Sequence, residues 1–194
     1  MRQILFIHGG DSFSSHQEYI DALKAKQLNY DQLRYSRRWR EWVAEQLAED
    51  DILTPNFPNG FNAQYDEWVI FFEKILPFLK PGAILIGHSL GAMFLAKYLH
   101  SHILTAKMRR IILVAGRYGD TQENGSFDVS SASGVERSTD EVHLFHSVDD
   151  PVVPFDDVML FKNDIPNSIV HRFSTRGHFI DATFPEMLDL LKQK

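Results

Sequence analysis

The chain alternates short apolar runs with segments of helical periodicity. The predicted strands lie at residues 3–7, 51–54, 83–86, 110–115, 141–147 and 168–173. Between them, apolar side chains recur at helical spacing in segments at 39–47, 68–79, 90–100 and 184–191. Strands that alternate with helices are joined by right-handed crossovers, which cover both faces of the sheet with helices. The pattern therefore predicts an α/β fold with a mostly parallel six-stranded sheet.

The length of 194 residues fits one domain spanning 1–194. No internal repeat and no linker divides the chain. Two segments stand outside the alternation of strands and helices. Residues 14–38, rich in Tyr, Lys and Arg, are an expected insertion, and residues 117–140, rich in Gly, Ser and Asp, are an expected loop or small cap near the site.

Composition excludes several classes of function. A formal charge of −6 disfavours nucleic acid as a partner, and the absence of cysteine excludes thiolate nucleophiles and Cys-type zinc sites. No apolar run reaches the ~20 residues that cross a membrane, and the N-terminal run is too short for a signal peptide. Neither a G-x-G-x-x-G nor a P-loop is present. We therefore expect a cytoplasmic protein with no cofactor, no metal and no nucleic-acid partner.

The motif that carries chemistry is Gly87-His88-Ser89-Leu90-Gly91. It reads G-x-S-x-G, and it stands between a predicted apolar strand and a predicted helix, which is the context that a nucleophile elbow requires. A serine on such a turn is exposed at the top of the sheet, beside the positive end of the helix dipole. Ser89 is therefore the candidate nucleophile, and a structural glycine turn is the minor alternative.

A serine hydroxyl needs a base, and in this architecture an acid and then a histidine follow the serine along the chain. Of the nine histidines, His178 lies in the loop between the last predicted strand and the last helix, where such a base belongs. The acid is expected after the preceding strand, at Asp149 or Asp150. The backbone N–H of Leu90 and that of Gly10, in the loop after the first strand, are the candidate oxyanion donors.

These motifs resemble those of the α/β-hydrolase superfamily, and more narrowly those of the retinoblastoma-binding protein 9 / YdeN-like small serine hydrolases. The matching elements are Trp39-x-x-Trp42-Val43, the G-x-S-x-G, Asp149-Asp150-Pro151-Val152-Val153-Pro154, Gly177-His178-Phe179 and the Pro-rich Pro55-Asn56-Phe57-Pro58. The resemblance implies an α/β-hydrolase fold without a large lid. It assigns Ser89 as nucleophile, Asp150 as acid and His178 as base.

Candidate substrate contacts come from the oxyanion loop and from the predicted insertion. Asp11 follows Gly10, and Phe13, Phe57 and Phe61 are candidate walls of an acyl pocket, although aromatic residues at such positions are more often core. Arg37 and Arg38 are candidates for pairing with an anionic group of the substrate. The simpler interpretation of the basic insertion is a solvated face.

The sequence therefore predicts a serine hydrolase that cleaves an ester, amide or thioester bond of a small acyl substrate through an acyl-enzyme intermediate. The alternative is a protein-interaction module on a hydrolase scaffold, since a fold does not dictate a function. No sequence feature indicates a protein partner.

Overall fold

The computed structural model describes residues 1–119 and 122–193. Six strands form one sheet in the order β2-β1-β3-β4-β5-β6, and every neighbouring pair is parallel. The strands are β1 (Gln3–Ile7), β2 (Asp51–Leu53), β3 (Ile84–His88), β4 (Arg110–Val114), β5 (Val142–Ser147) and β6 (Ile169–Phe173). The predicted α/β fold is confirmed, and the six predicted strands differ from the observed ones by at most two residues at an end.

The helices in the described residues alternate with the strands. They are α1 (His16–Ala25), α2 (Trp39–Gln46), α3 (Tyr65–Ile75), α4 (Leu90–Ser101), α5 (Asp157–Asp164) and α6 (Pro185–Lys192). The apolar pattern does not predict α1 or α5. No residue of α1 is buried, so this helix has no apolar stripe for the sequence to show, and α5 buries only Val158 and Phe161.

Both faces of the sheet are covered, as the apolar strands predict. Because side chains alternate across a strand, β1 sends Leu5 and Ile7 to one face and Ile4 and Phe6 to the other. Helices α3, α4 and α5 pack on the first face, and α2 and α6 pack on the second. This arrangement leaves the carboxyl ends of the strands as the open edge where loops can form a site.

The two segments outside the alternation differ in how they pack. In the segment 14–38, α1 is followed by a 3-10 helix, Tyr30–Leu33, and neither buries a residue. The segment 117–140 contains the 3-10 helices Gln122–Phe127 and Val135–Ser138. It also contributes buried side chains to the core beside α4, namely Phe127, Val129, Ala132 and Val135.

Among the described residues, none of the helices is long and apolar enough to cross a membrane.

His146, one of two buried histidines in β5, makes stability depend on pH. His146 is 1% exposed, and burial lowers its pKa to about 4. The unfolded chain, with an ordinary histidine pKa, takes up the proton first as the pH falls. The contribution of neutral His146 to the free energy of unfolding is therefore fully present above about pH 6.5. It falls by about 1 kcal/mol per pH unit as the pH drops toward 4.

Urea unfolding between pH 7.5 and 4.5 measures this loss. We expect the free energy of unfolding of His146→Leu to fall less over this range than that of the parent chain. The control His16→Gln, on the exposed face of α1, should lose as much free energy of unfolding as the parent chain does. Parallel curves for His146→Leu and the parent chain would contradict the assignment.

Candidate active site

Ser89 stands on a strained turn between β3 and α4. Its backbone has φ 53° and ψ −121°, a region that non-glycine residues enter at a cost of about 1–3 kcal/mol. Hydrogen bonds hold Ser89 in this conformation. The Ser89 N–H donates to Val114 O at 2.8 Å, and the Ser89 carbonyl accepts from Ala92 N and Met93 N at 2.9 and 3.2 Å. The turn therefore has the geometry of a nucleophile elbow.

The two glycines of the motif are required by close backbone approach. A Cβ atom on Gly87 would lie 2.4 Å from Gly91 O, and one on Gly91 would lie 2.4 Å from Ile7 O. Any side chain at either position would push α4 away from β3 or from β1. The glycines thus allow the helix to begin directly behind the serine.

The hydroxyl of Ser89 lies in a chain of hydrogen bonds with a histidine and an aspartate. The Ser89 Oγ is 2.8 Å from His178 Nε2, and His178 Nδ1 is 2.8 Å from Asp150 Oδ2. Since the carboxylate can only accept when ionised, Nδ1 carries a proton, and Nε2 is free to accept one from the serine. The structure thus brings together the three residues that the order along the chain suggests.

Asp150 is held rigidly and kept ionised. Its side chain is 1% exposed, and its Oδ1 accepts from Val152 N at 2.8 Å and Val153 N at 3.0 Å. Burial raises the pKa of Asp150, but the hydrogen bonds from His178, Val152 and Val153 outweigh it, and the pKa lies below its ordinary value. The carboxylate is therefore negative at neutral pH and oriented toward the imidazole.

Asp149 has a different place. Its Oδ1 accepts from Ser147 Oγ at 2.5 Å and from Gly177 N at 2.9 Å, and Ser147 Oγ in turn accepts from Arg176 N at 3.0 Å. The Ser147 hydroxyl and the Gly177 amide hold the pKa of Asp149 below its usual range. Asp149 therefore fastens the loop that carries His178, whereas Asp150 contacts the imidazole itself.

Two neutral histidines support the loops around the serine. Burial lowers the pKa of His88 to about 3, and nearby His178 lowers it further, so its Nε2–H donates to the backbone carbonyl of His178 at 2.9 Å. Burial likewise lowers the pKa of His8, whose Nε2 accepts from Phe57 N at 2.8 Å. His88 thus braces the loop of His178, and His8 braces the loop after β1.

The candidate oxyanion donors lie beside the serine. Leu90 is the first residue of α4, so its N–H has no carbonyl partner within the helix. Gly10 lies in the loop after β1 and lines the same cleft as Ser89 and Leu90. The N–H of Asp11 is already engaged with Gly60 O at 2.9 Å, which leaves Gly10 as the better placed donor of the two.

Two clefts meet at Ser89. The small cleft, of about 280 Å³, is distinguished by Phe13, Glu18, Leu90 and Met93. The large cleft, of about 680 Å³, is distinguished by Arg38, Arg40, His88, His178 and Ile180. Asp11 lines both clefts, at their boundary.

The predicted substrate contacts divide into those that line a cleft and those that do not. Phe13 and Asp11 line the small cleft, and Arg38 lines the large one. Phe57 was a wrong prediction: it is 4% exposed and packs in the core against Trp68, Phe71 and Phe94.

Arg37 was also a wrong prediction. Its guanidinium pairs with Glu45 at 2.9 Å along α2, and it does not line either cleft. The periodicity that places Trp39 in the core does not distinguish the neighbouring Arg37 and Arg38.

Sequence reasoning missed Arg40, which lines the large cleft. The signal available was its position next to Trp39, the first buried residue of α2, but a polar residue beside a buried one is usually on the solvated face. Among the described residues, no group of three or more His, Asp or Glu side chains is arranged to hold a metal ion.

The close approach at Gly91 predicts the effect of adding one methyl group. Gly91→Ala should force α4 away from Ile7 and lower the free energy of unfolding by about 1–3 kcal/mol, as overpacking does. Thermal denaturation measures the change. Ser101→Ala, at the exposed end of the same helix, is the matched control and should melt as the parent chain does; an unchanged melting temperature for Gly91→Ala would refute the steric argument.

Comparison with known proteins identifies the family. The model of the family described as Serine hydrolase matches residues 32–191. The chain is 28% identical to "Serine hydrolase RBBP9" of Rattus norvegicus, over 79% of this chain and 84% of that protein. It is 26% identical to "Putative hydrolase YdeN" of Bacillus subtilis (strain 168), over 80% of this chain and 87% of that protein.

A solved structure agrees with the sequence relatives. The crystal structure of the ydeN gene product from B. subtilis has a TM-score of 0.78 to this chain, covers 98% of it and 97% of its own length, and is 21% identical. That likeness extends over the whole sheet and its helices. The resemblance that the motifs carry is thereby confirmed, and the chain belongs to the serine hydrolase family.

Proposed function

We propose that the chain hydrolyses an ester, amide or thioester bond of a small acyl substrate through an acyl-enzyme on Ser89. The single observation that carries the proposal is the chain of 2.8 Å contacts from Ser89 Oγ through His178 to Asp150. A nucleophile, a base in reach of it and an acid that orients the base are the three parts that such catalysis requires.

The first half of the reaction forms the acyl-enzyme. Ser89 Oγ attacks the substrate carbonyl carbon while His178 Nε2 takes the hydroxyl proton. The carbonyl oxygen becomes an oxyanion, and His178 then gives the proton to the leaving group as the bond to the carbonyl carbon breaks. Asp150 stabilises the imidazolium between these two transfers and does not itself take the proton.

The second half releases the acyl group. Water attacks the acyl carbon, His178 takes its proton, and the bond to Ser89 Oγ breaks as His178 returns that proton to the serine. Both tetrahedral states have a negative oxygen facing the N–H groups of Leu90 and Gly10. Each such donor lowers the barrier by about 3 kcal/mol in related sites.

The two clefts favour catalysis on a substrate with a group on each side of the scissile bond. Ser89 lies where the small and large clefts meet, so a bound substrate can extend into both. The triad is indifferent to the leaving group, so the choice between ester, thioester and amide rests on a substrate panel. The rival role as an interaction module would leave this hydrogen-bonded site without a use.

The nucleophile is tested with a fluorophosphonate probe, which labels an activated serine. We expect Ser89→Ala to abolish both labelling and ester hydrolysis, because no other hydroxyl is within reach of His178 Nε2 among the described residues. Ser14→Ala, an exposed serine before α1, should label as the parent chain does. Labelling that persists in Ser89→Ala would sink the assignment.

The two neighbouring aspartates separate orientation of the base from support of its loop. Asp150→Asn should lower kcat by about 10⁴-fold, because the amide no longer fixes the tautomer of the imidazole. Asp149→Asn should lower the melting temperature and reduce kcat far less, since Asp149 holds Gly177 and not the imidazole. Equal losses of kcat in the two variants, both folded by circular dichroism, would contradict these roles.

A further inference from the structure

Arg40 places a cation without an ionic partner beside the nucleophile. It is the second residue of α2, is half-buried and lines the large cleft with Arg38 and His178. Within residues 1–119 and 122–193 it makes no hydrogen bond and no ion pair. The start of α2 is tied to the loop of His178, because Trp39 N donates to Asp181 O at 3.1 Å.

Three other buried or half-buried arginines are neutralised by acidic side chains. Arg110 pairs with Glu141 at 2.9 Å, Arg2 pairs with Asp50, and Arg176 pairs with Glu186 and Asp181. The acid next to Arg40 is otherwise engaged: Glu41 accepts from the backbone N–H of Arg38 at 3.0 Å and caps the helix. Arg40 is therefore exceptional among these half-buried and buried arginines.

The charge of Arg40 acts on two buried histidines of the loops around Ser89. The pKa values of His8 and His88 are lowered first by burial, and the nearby guanidinium of Arg40 lowers both further. These two histidines support the loops on either side of Ser89. A guanidinium remains charged in proteins, so the large cleft has a standing positive charge.

The catalytic proton decides which part of a substrate occupies the large cleft. His178 must hand its proton to the leaving group, so the leaving group lies on the side of His178. His178 lines the large cleft with Arg40 and Arg38, whereas the small cleft is lined by Leu90, Met93, the carboxylate of Glu18 and the guanidinium of Arg117, which donates to Val152 O at 2.8 Å. The arginines therefore face the leaving group, and the acyl part faces the small cleft.

We propose that Arg40, with Arg38 beside it, binds a carboxylate on the leaving group of the substrate. The inference rests on the proposed hydrolysis and adds the chemical class of the leaving group. A carboxylate matches the planar fork of a guanidinium and restores the interactions that the half-buried Arg40 lacks. Asp11 lines both clefts and so does not distinguish them. Of the other charged side chains, Glu18 and Arg117 line the small cleft and offset each other, whereas Arg38 and Arg40 give the large cleft two positive charges.

Two matched esters test the leaving group. 4-Acetoxybenzoate carries a carboxylate on the leaving group, and its methyl ester does not. We expect Arg40→Met to lower the ratio of kcat/KM for the acid to kcat/KM for the methyl ester at least tenfold relative to the parent chain. Using this ratio cancels the intrinsic difference between the two phenols. Arg40→Lys, which retains the charge but not the fork, should retain part of the preference.

The controls locate the effect. Arg34→Met, a variant of an exposed arginine in the neighbouring segment 14–38, should leave the ratio unchanged. Mono(4-nitrophenyl) glutarate against 4-nitrophenyl butyrate places the carboxylate on the acyl side, and Arg40→Met should not change that ratio. A ratio that changes only for the glutarate pair, or for neither pair, overturns the inference.

Binding without turnover separates this inference from the proposed function. Calorimetry with Ser89→Ala compares 4-hydroxybenzoate with its methyl ester, and Arg40→Met in that background should weaken only the binding of the acid. If no ester is hydrolysed yet this difference is present, the hydrolysis fails and the anion site stands. If esters are hydrolysed and the acid binds equally well with and without Arg40, the anion site fails alone.

Discussion

The rest of the site depends on one strained residue held by the sheet. Ser89 adopts a positive φ because β3 must end and α4 must begin within a single step, and the hydrogen bond from its N–H to Val114 O ties this step to β4. The adjacent glycines let the backbones of β1, β3 and α4 approach at distances that no Cβ permits. The Leu90 N–H, a candidate oxyanion donor, and the serine hydroxyl therefore share one rigid frame, and the strained turn is supported by a buried core of parallel strands.

The loops that complete the site are braced in pairs. The aspartates after β5 divide two tasks, since Asp150 contacts the imidazole and Asp149 fastens the loop at Gly177. His88, which precedes Ser89 on the same turn, holds the loop of His178 by donating to the backbone carbonyl of that residue. Phe179, buried against Phe173 and Phe184, anchors the same loop to the core. The imidazole of His178 is thus oriented by Asp150, and its loop is held by three further side chains.

Charge divides the surface around the serine. One cleft is lined by Glu18, Arg117 and apolar side chains, the other by Arg38 and Arg40, and Asp11 lines both. The net charge of −6 conveys nothing of this division, because it sums groups that line different clefts. Arg40 is half-buried in the wall of the large cleft, and it forms no ion pair with the other described residues.

The sequence by itself determined where the strands lie along the chain, because apolar runs predict the buried parallel strands. The G-x-S-x-G motif, with the later Asp and His, predicts which loops meet. These are local or periodic signals that survive without coordinates. Only the tertiary structure showed which atoms Asp149 and Asp150 each contact, placed Phe57 in the core, paired Arg37 with Glu45 and placed Arg40 in the wall of the large cleft. Those outcomes depend on side-chain direction and on partners distant along the chain, and neighbouring residues of the same type carry no signal that separates them.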